Sequence, residues 1–267
     1  MTVPSAESTK PGFTFWLGTH HASWLTKAAV PLFISNRTLA RRKKLPEKAV
    51  PYAIDSGGFT ELSLYGEWRT SPEEYIRLLR RYRDEIGPME WAASQDYMCE
   101  LEVLARTGAT VKEHQALTIE RYLQLRTLDA DLPIIPVLQG WTAPSYQRHV
   151  DAYLAAGIDL AQEPLVGVGT ICRRTNSVGI SLLLGELTRQ GLSLHAFGAK
   201  AAGLRLLPPP GVASSDSLAW SYGGLYIPGC SAGHKSESNC IHHAMEWRER
   251  LLDSVPWATP GASAAAA

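Results

Sequence analysis

Tyr52-Ala53-Ile54-Asp55-Ser56-Gly57-Gly58-Phe59 reads as a strand that ends in a carboxylate and turns at once through two glycines. Tyr52 to Asp55 is a short apolar run, the pattern of a strand covered on both faces. Working outward, runs of the same kind recur at Phe13 to Leu17, Pro31 to Ser35, Met89 to Ala93, Ile134 to Leu138, Leu165 to Val168, Leu194 to Phe197 and Val212 to Ser215. Helical periodicity separates them and predicts helices over Pro72 to Glu85, Val111 to Leu128, Pro144 to Ala156, Ser177 to Gln190 and Asn239 to Leu252, with imperfect helices after the first two strands. The first of these opens with Ser71 as N-cap and Pro72 in the first turn, and gathers Tyr75, Ile76, Leu78, Leu79 and Tyr82 on one face. Strands alternating with helices over about 240 residues are what a (β/α)8 TIM-type barrel requires, and an open doubly wound sheet is the alternative α/β arrangement.

Composition agrees with one folded domain. The chain has 267 residues, 45% of them hydrophobic, with 26 basic and 26 acidic side chains. A balance of charges argues against a surface that is basic all over, as many nucleic-acid-binding domains are, but leaves room for a local patch such as Arg41-Arg42-Lys43-Lys44 with Lys48. The polar start lacks the charged-then-apolar pattern of a signal peptide, and no run is long enough for a membrane span, so a cytoplasmic location is expected. Cys99, Cys172, Cys230 and Cys240 are too few for a disulfide framework in so long a chain. Residues 1–12 and 258–267 read as disordered ends, 13–257 as the barrel, and Pro208 to Pro210 as a stiff lead-in to the last strand.

Chemically capable side chains fall at or just past the C-terminal ends of the strands, which is the active-site face of a barrel. Asp55 ends the third strand, Asp96 follows the fourth, Gln139 the fifth, Gly167 and Gly169 belong to the sixth, Phe197 to the seventh and Asp216 to the eighth. Each has an ordinary structural explanation: an Asx turn for Asp55, a helix N-cap for Asp216, core for Phe59 and Phe197, a loop amide for Gln139.

Asp55-Ser56-Gly57-Gly58-Phe59 resembles the Asp-Ser-Gly-Gly-aromatic signature of the tRNA-guanine transglycosylase superfamily, and within it the deazapurine DNA-modification branch called DpdA; Thr60 stands where a glutamine is usual. The likeness continues in chain order through Ser94-Gln95-Asp96, Val137-Leu138-Gln139-Gly140, Gly167-Val168-Gly169, His195-Ala196-Phe197-Gly198 and Ser215-Asp216-Ser217. The resemblance implies a pentosyltransferase that exchanges guanine for a 7-deazaguanine such as preQ0 through a covalent glycosyl-aspartate, the logic of retaining glycosyl transfer. It implies Asp216 as nucleophile and Asp55 as the acid and base at the purine, so that Asp55 should be desolvated and Asp216 held ionised by hydrogen bonds. It further implies a base pocket built from Asp96, Gln139, Ser56, Gly57, Gly167 and a backbone N–H near Gly169, with Phe59 and Phe197 sandwiching the heterocycle.

Arg173 and Arg174, past the sixth strand, are phosphate candidates, because guanidinium forks match phosphate oxygens. His20 and His21 follow the first strand and should face the same mouth. Cys230, His234, Cys240 and His243 could supply four zinc ligands. Members of the resembled superfamily often hold a structural zinc in this region, although their cysteine-rich pattern is absent here. The chemistry itself needs no cofactor. DNA is the expected polymer in preference to tRNA, with no membrane partner and with a partner protein or a second copy of the chain as candidates. Two other functions fit less of the sequence: an N-glycosyltransferase joining a deazapurine to a small sugar phosphate or nucleotide, and a non-catalytic nucleic-acid-binding subunit.

Overall fold

The computed structural model describes residues 12–172, 174, 176–199, 201–206, 212–231 and 233–255. The expectations for residues 1–11, Arg173, Pro208 to Pro210 and 258–267 fall outside the described residues. Nine strands pair in parallel: β1 Thr14–Thr19, β2 Leu32–Ser35, β3 Tyr52–Asp55, β4 Trp91–Ala93, β5 Ile134–Ile135, β6 Val137–Leu138, β7 Val166–Val168, β8 Leu194–Ala196 and β9 Val212–Ser217. Their spatial order is β5-β4-β3-β2-β1-β9-β8-β7-β6. β5 and β6 are the two ends of that order and also chain neighbours, separated by Pro136, which has no N–H to give a ladder. The expected fifth strand, Ile134 to Leu138, is therefore one strand broken at its proline, and the sheet closes around it as an α/β barrel.

The helices are α1 Asn36–Ala40, α2 Gly58–Tyr65, α3 Pro72–Ile86, α4 Leu101–Thr107, α5 Val111–Leu128, α6 Ala143–Ala155, α7 Ser177–Thr188, α8 Ala201–Leu204, α9 Ala219–Gly224 and α10 Ile241–Asp253. Local chemistry starts the long ones where the sequence indicates. Ser71 accepts from the Glu74 N–H at the head of α3, Thr110 and Glu113 form a capping box on α5, and Asn176 caps α7. Short apolar strands and long capped helices match the expected elements to within a few residues. β9 runs on to Ser217, so Asp216 belongs to a strand and is not a helix N-cap; Leu218 holds that place before α9.

Side chains alternate across the strands and divide the core in two. Trp16, Phe33, Ala53, Trp91, Ala93, Ile135 and Val137 form a cluster inside the barrel, and their neighbours Leu17, Leu32, Ile34, Ile54 and Leu138 join the larger core beneath the helices. The same alternation carries the interior face from Ala53 to Asp55 and from Ser214 to Asp216. Among the described residues no helix is long and apolar enough to cross a membrane.

Candidate active site

A cavity of about 490 Å³ opens where the strands end, and Asp55, Asp96, Gln139, Phe59, Phe197 and Asp216 all line it. Ser56, Gly58 and Gly169 share the wall. The turn after β3 is built for this approach. Gly57 has φ +83, and a Cβ there would lie 2.8 Å from Arg37 Cγ; one on Gly58 would lie 2.7 Å from Trp68 Cζ2. Gly57 in turn donates its N–H to Asp55 Oδ1 at 3.1 Å. Burial pushes the Asp55 carboxyl up from its ordinary range; the Gly57 N–H and the Ser35 hydroxyl pull it back, and the Asp216 carboxylate adds to the rise.

Asp216 is held from behind. Its Oδ1 accepts from the Gly198 N–H at 2.8 Å and lies 3.2 Å from His195 Nε2. His195 is fully buried, 4.5 Å from the Trp91 ring and 4.6 Å from the Phe197 ring by centroid, and its Nδ1 is 2.8 Å from Ser214 Oγ. Burial pushes the imidazole down, against the pull of Asp216, which favours the neutral ring. In that state Ser214 Oγ–H donates to Nδ1 and Nε2–H donates to Asp216, the tautomer that satisfies both ends.

A second network lies across the cavity. Asp96 Oδ2 accepts from Gln139 Nε2, and Oδ1 accepts from Ser56 Oγ at 3.4 Å. Burial pushes the Asp96 carboxyl up to about 7; the Gln139 amide opposes the rise, and the Asp55 and Glu100 carboxylates reinforce it. Gln139 Oε1 lies 2.5 Å from Thr170 Oγ1, which also accepts from the Cys99 N–H at 2.8 Å and reaches Glu100 Oε2 at 3.0 Å. Thr170 has φ +55, a left-handed conformation that strains a β-branched residue. The Gln139 amide presses so closely on Gly169 that a Cβ there would lie 2.2 Å from Nε2.

The expected backbone donor at Gly169 is committed elsewhere: its N–H donates to Leu138 O at 2.9 Å, and its carbonyl accepts from Tyr146 Oη at 2.7 Å. Gly167 gives its N–H to Pro136 O and makes room for a ring, since a Cβ there would lie 2.5 Å from Phe197 Cε2. Phe59 packs against the small cluster of Leu62, Met98 and Val103, whereas Phe197 packs against the interior cluster, so the two rings reach the cavity from different sides. Arg174 sits over the Trp141 ring at 5.3 Å. His20 and His21 do not line the cavity; their Nε2 atoms donate to Asn239 Oδ1 at 2.8 and 3.0 Å, and their rings stack on Trp220 and Trp24.

Away from the cavity, Cys230, His234, Glu237 and Cys240 bring one ligand atom each to within 4.8 Å of one another. Three of the four expected ligands are in this group, with Glu237 beside them and His243 outside it. The turn Glu237–Asn239 folds Glu237 back onto the Cys230 N–H, and His243, on α10, is not in the group. The donors fit zinc. A tetrahedral ion with bonds of about 2.3 Å to sulfur and about 2.1 Å to nitrogen would set S···S near 3.8 Å and S···N near 3.6 Å. Here Cys230 Sγ is 3.6 Å from Cys240 Sγ and 3.5 Å from His234 Nδ1.

Among the residues in and behind the cavity wall that the sequence does not mark as site residues are His195, Ser214, Thr170 and Glu100. Strand alternation could have found the first two, because each lies two residues before an expected site residue on its strand, Phe197 and Asp216. Nothing local marks Thr170 or Glu100.

A family model described as DpdA, DeoxyPurine in DNA protein A, matches residues 13–266. No curated protein matches the chain.

Proposed function

The chain belongs to the DpdA family, whose role is in deazapurine modification of DNA, and from that premise we propose that it exchanges guanine in DNA for a 7-deazaguanine base. The observation that carries the proposal is that Asp55 and Asp216 face one cavity whose remaining wall carries the Asp96–Gln139 pair.

In the proposed reaction Asp216 attacks C1′ of the target deoxynucleoside through Oδ2, the oxygen not engaged by Gly198 and His195. The C1′–N9 bond breaks, its electrons leave with the purine, and Asp55 supplies the proton that the departing base takes up. The product is a glycosyl-aspartate ester. In the second half Asp55, now ionised, removes a proton from the incoming base, whose nitrogen displaces Asp216; this frees the Asp216 carboxylate and returns Asp55 to its protonated form. The raised pKa of Asp55 suits a group that must both give and take this proton. His195 is a positioning residue: as a neutral donor it aims the Asp216 carboxylate without cancelling its charge.

Asp96 would accept from the ring N–H and exocyclic amine of the base, and the second amide hydrogen of Gln139 would donate to the exocyclic oxygen. Phe59 and Phe197 would stack on the heterocycle, worth about 1–3 kcal/mol per base. Reaching C1′ requires the target nucleotide to leave the duplex stack. Cys230, His234, Glu237 and Cys240 would hold zinc in a structural role, tying the segment after α9 to the start of α10. Incubation with labelled 7-deazaguanine and duplex DNA should transfer label to the DNA. Asp216→Ala should abolish transfer and the covalent protein–DNA adduct, and normal exchange by that variant would sink the proposal.

A further inference from the structure

The chain carries no net charge, and several of its described surface arginines are matched to acids: Arg69 with Glu67, Arg80 with Asp129, Arg81 with Glu85, Arg83 with Asp84 and Arg250 with Glu246. Arg41 and Arg42 are among those that are not. Both are exposed, and neither forms an ion pair with any described residue. With His20, Arg37 and Thr38 they line a surface concavity of about 410 Å³ that has no acidic residue in its wall. Burial first and then the neighbouring His20 push the His21 imidazole down, and Arg42 adds to that push.

Two connections join this concavity to the cavity mouth. Thr19 and Ser35 line the cavity, and His20 and Arg37 follow them directly or nearly so in the chain. The Arg37 side chain also lies against Gly57, in the turn that carries Asp55. The patch is held ready as well: Arg81 Nη2 donates to the carbonyls of Arg42 and Lys43 at 2.9 and 3.1 Å, which fixes the loop backbone while its side chains project outward. A preformed loop loses little conformational freedom on binding.

We propose that this concavity is where the DNA backbone docks, with Arg41 and Arg42 each gripping a phosphate beside the nucleotide presented to the cavity. The inference rests on the DNA base-exchange reading and adds the surface that holds the strand. Guanidinium forks suit phosphate oxygens, and each phosphate neutralised adds about one unit to the salt dependence, so these two should contribute about 2 to its slope.

The test is fluorescence anisotropy of a fluorescein-labelled duplex titrated with protein over a range of salt concentrations. Wild type, the double variant Arg41→Ala/Arg42→Ala and the control Arg83→Ala, whose arginine is paired elsewhere, are compared. Loss of two phosphate contacts should make the slope of log affinity against log salt shallower by about 2, so that a fourfold rise in salt narrows the gap between wild type and double variant about tenfold. Affinity for free 7-deazaguanine should not change. A double variant with the slope of wild type and of Arg83→Ala overturns the docking surface, as does a wild type that binds no duplex. If the slope shifts as expected but wild type exchanges no base, the base-exchange reading fails and the docking surface stands. If exchange proceeds and the double variant binds and exchanges normally, the reverse holds.

Discussion

Replacing Asp96 with asparagine should stabilise the fold above neutral pH while abolishing base binding. The carboxyl is 8% exposed, and burial pushes it from an ordinary 3.8 to about 7. The folded protein therefore holds this proton more tightly than the unfolded chain does. Between about pH 4 and about pH 7 the unfolded chain has lost the proton and the folded one has kept it, so stability falls as pH rises across that window. Above it both states are ionised and the folded state bears the full cost. The gap between 3.8 and about 7 corresponds to about 4 kcal/mol.

Asparagine has nearly the same shape, stays neutral, and can still accept from Gln139 Nε2. The two proteins should thus melt together near about pH 4 and part as pH rises. The variant should be ahead by up to about 4 kcal/mol at about pH 8, an increase in melting temperature of about 10 °C for a domain of this size. Asp55 titrates in a similar direction, so the difference between the two melting curves is the quantity to measure, by circular dichroism across pH. Calorimetry with 7-deazaguanine completes the assay: wild-type binding should strengthen as pH rises through about 7, when Asp96 becomes a pure acceptor, and the variant should bind nothing. A variant that melts at or below wild type at about pH 8 would refute the desolvation argument.

Gly169→Ala should leave the protein folded but weaken base binding at least about tenfold, because Gln139 must retreat from 2.2 Å toward the 3.4 Å of ordinary contact and so loosen its bonds to Asp96 and Thr170. Unchanged affinity in calorimetry would remove Gln139 from the pocket. Purified protein should carry about one zinc ion per chain, and Cys240→Ser should lose it. Chelation should then lower the melting temperature of wild type and leave that of Cys240→Ser unmoved; a metal-free wild type with the same melting temperature would show that the four side chains serve packing alone.

Most of the barrel was legible because parallel strands covered on both faces read as unbroken apolar runs, because the long helices show their periodicity, and because Ser71 announces the first of them. The short helices α2, α4, α8 and α9 were not, since elements of a turn or two carry too little periodicity to register. Pro136 sat within an expected strand without signalling that the barrel closes there. Within the site, strand ends located Asp55, Asp96, Gln139 and Asp216, but nothing in their spacing says that Gln139 reaches back to Asp96, or that His195 stands behind Asp216. Those contacts depend on which interior faces meet across the barrel. Glu237, and not His243, stands beside Cys230, His234 and Cys240 for a related reason: helical spacing governs only residues on the helix, and Glu237 belongs to the turn before it.

Thr170 has a bearing on how such a site can change over generations. One hydroxyl joins the segment after β4, through Cys99 and Glu100, to Gln139 after β6, while its own backbone carries a strain of about 1–3 kcal/mol. Glycine would relieve that strain and cut every tie at once. A lineage moving toward a differently shaped base could not reshape one wall of the pocket and then the other, because both walls hang on this oxygen. It would have to pass through paired substitutions, or through an intermediate with a slack pocket that grips no base well.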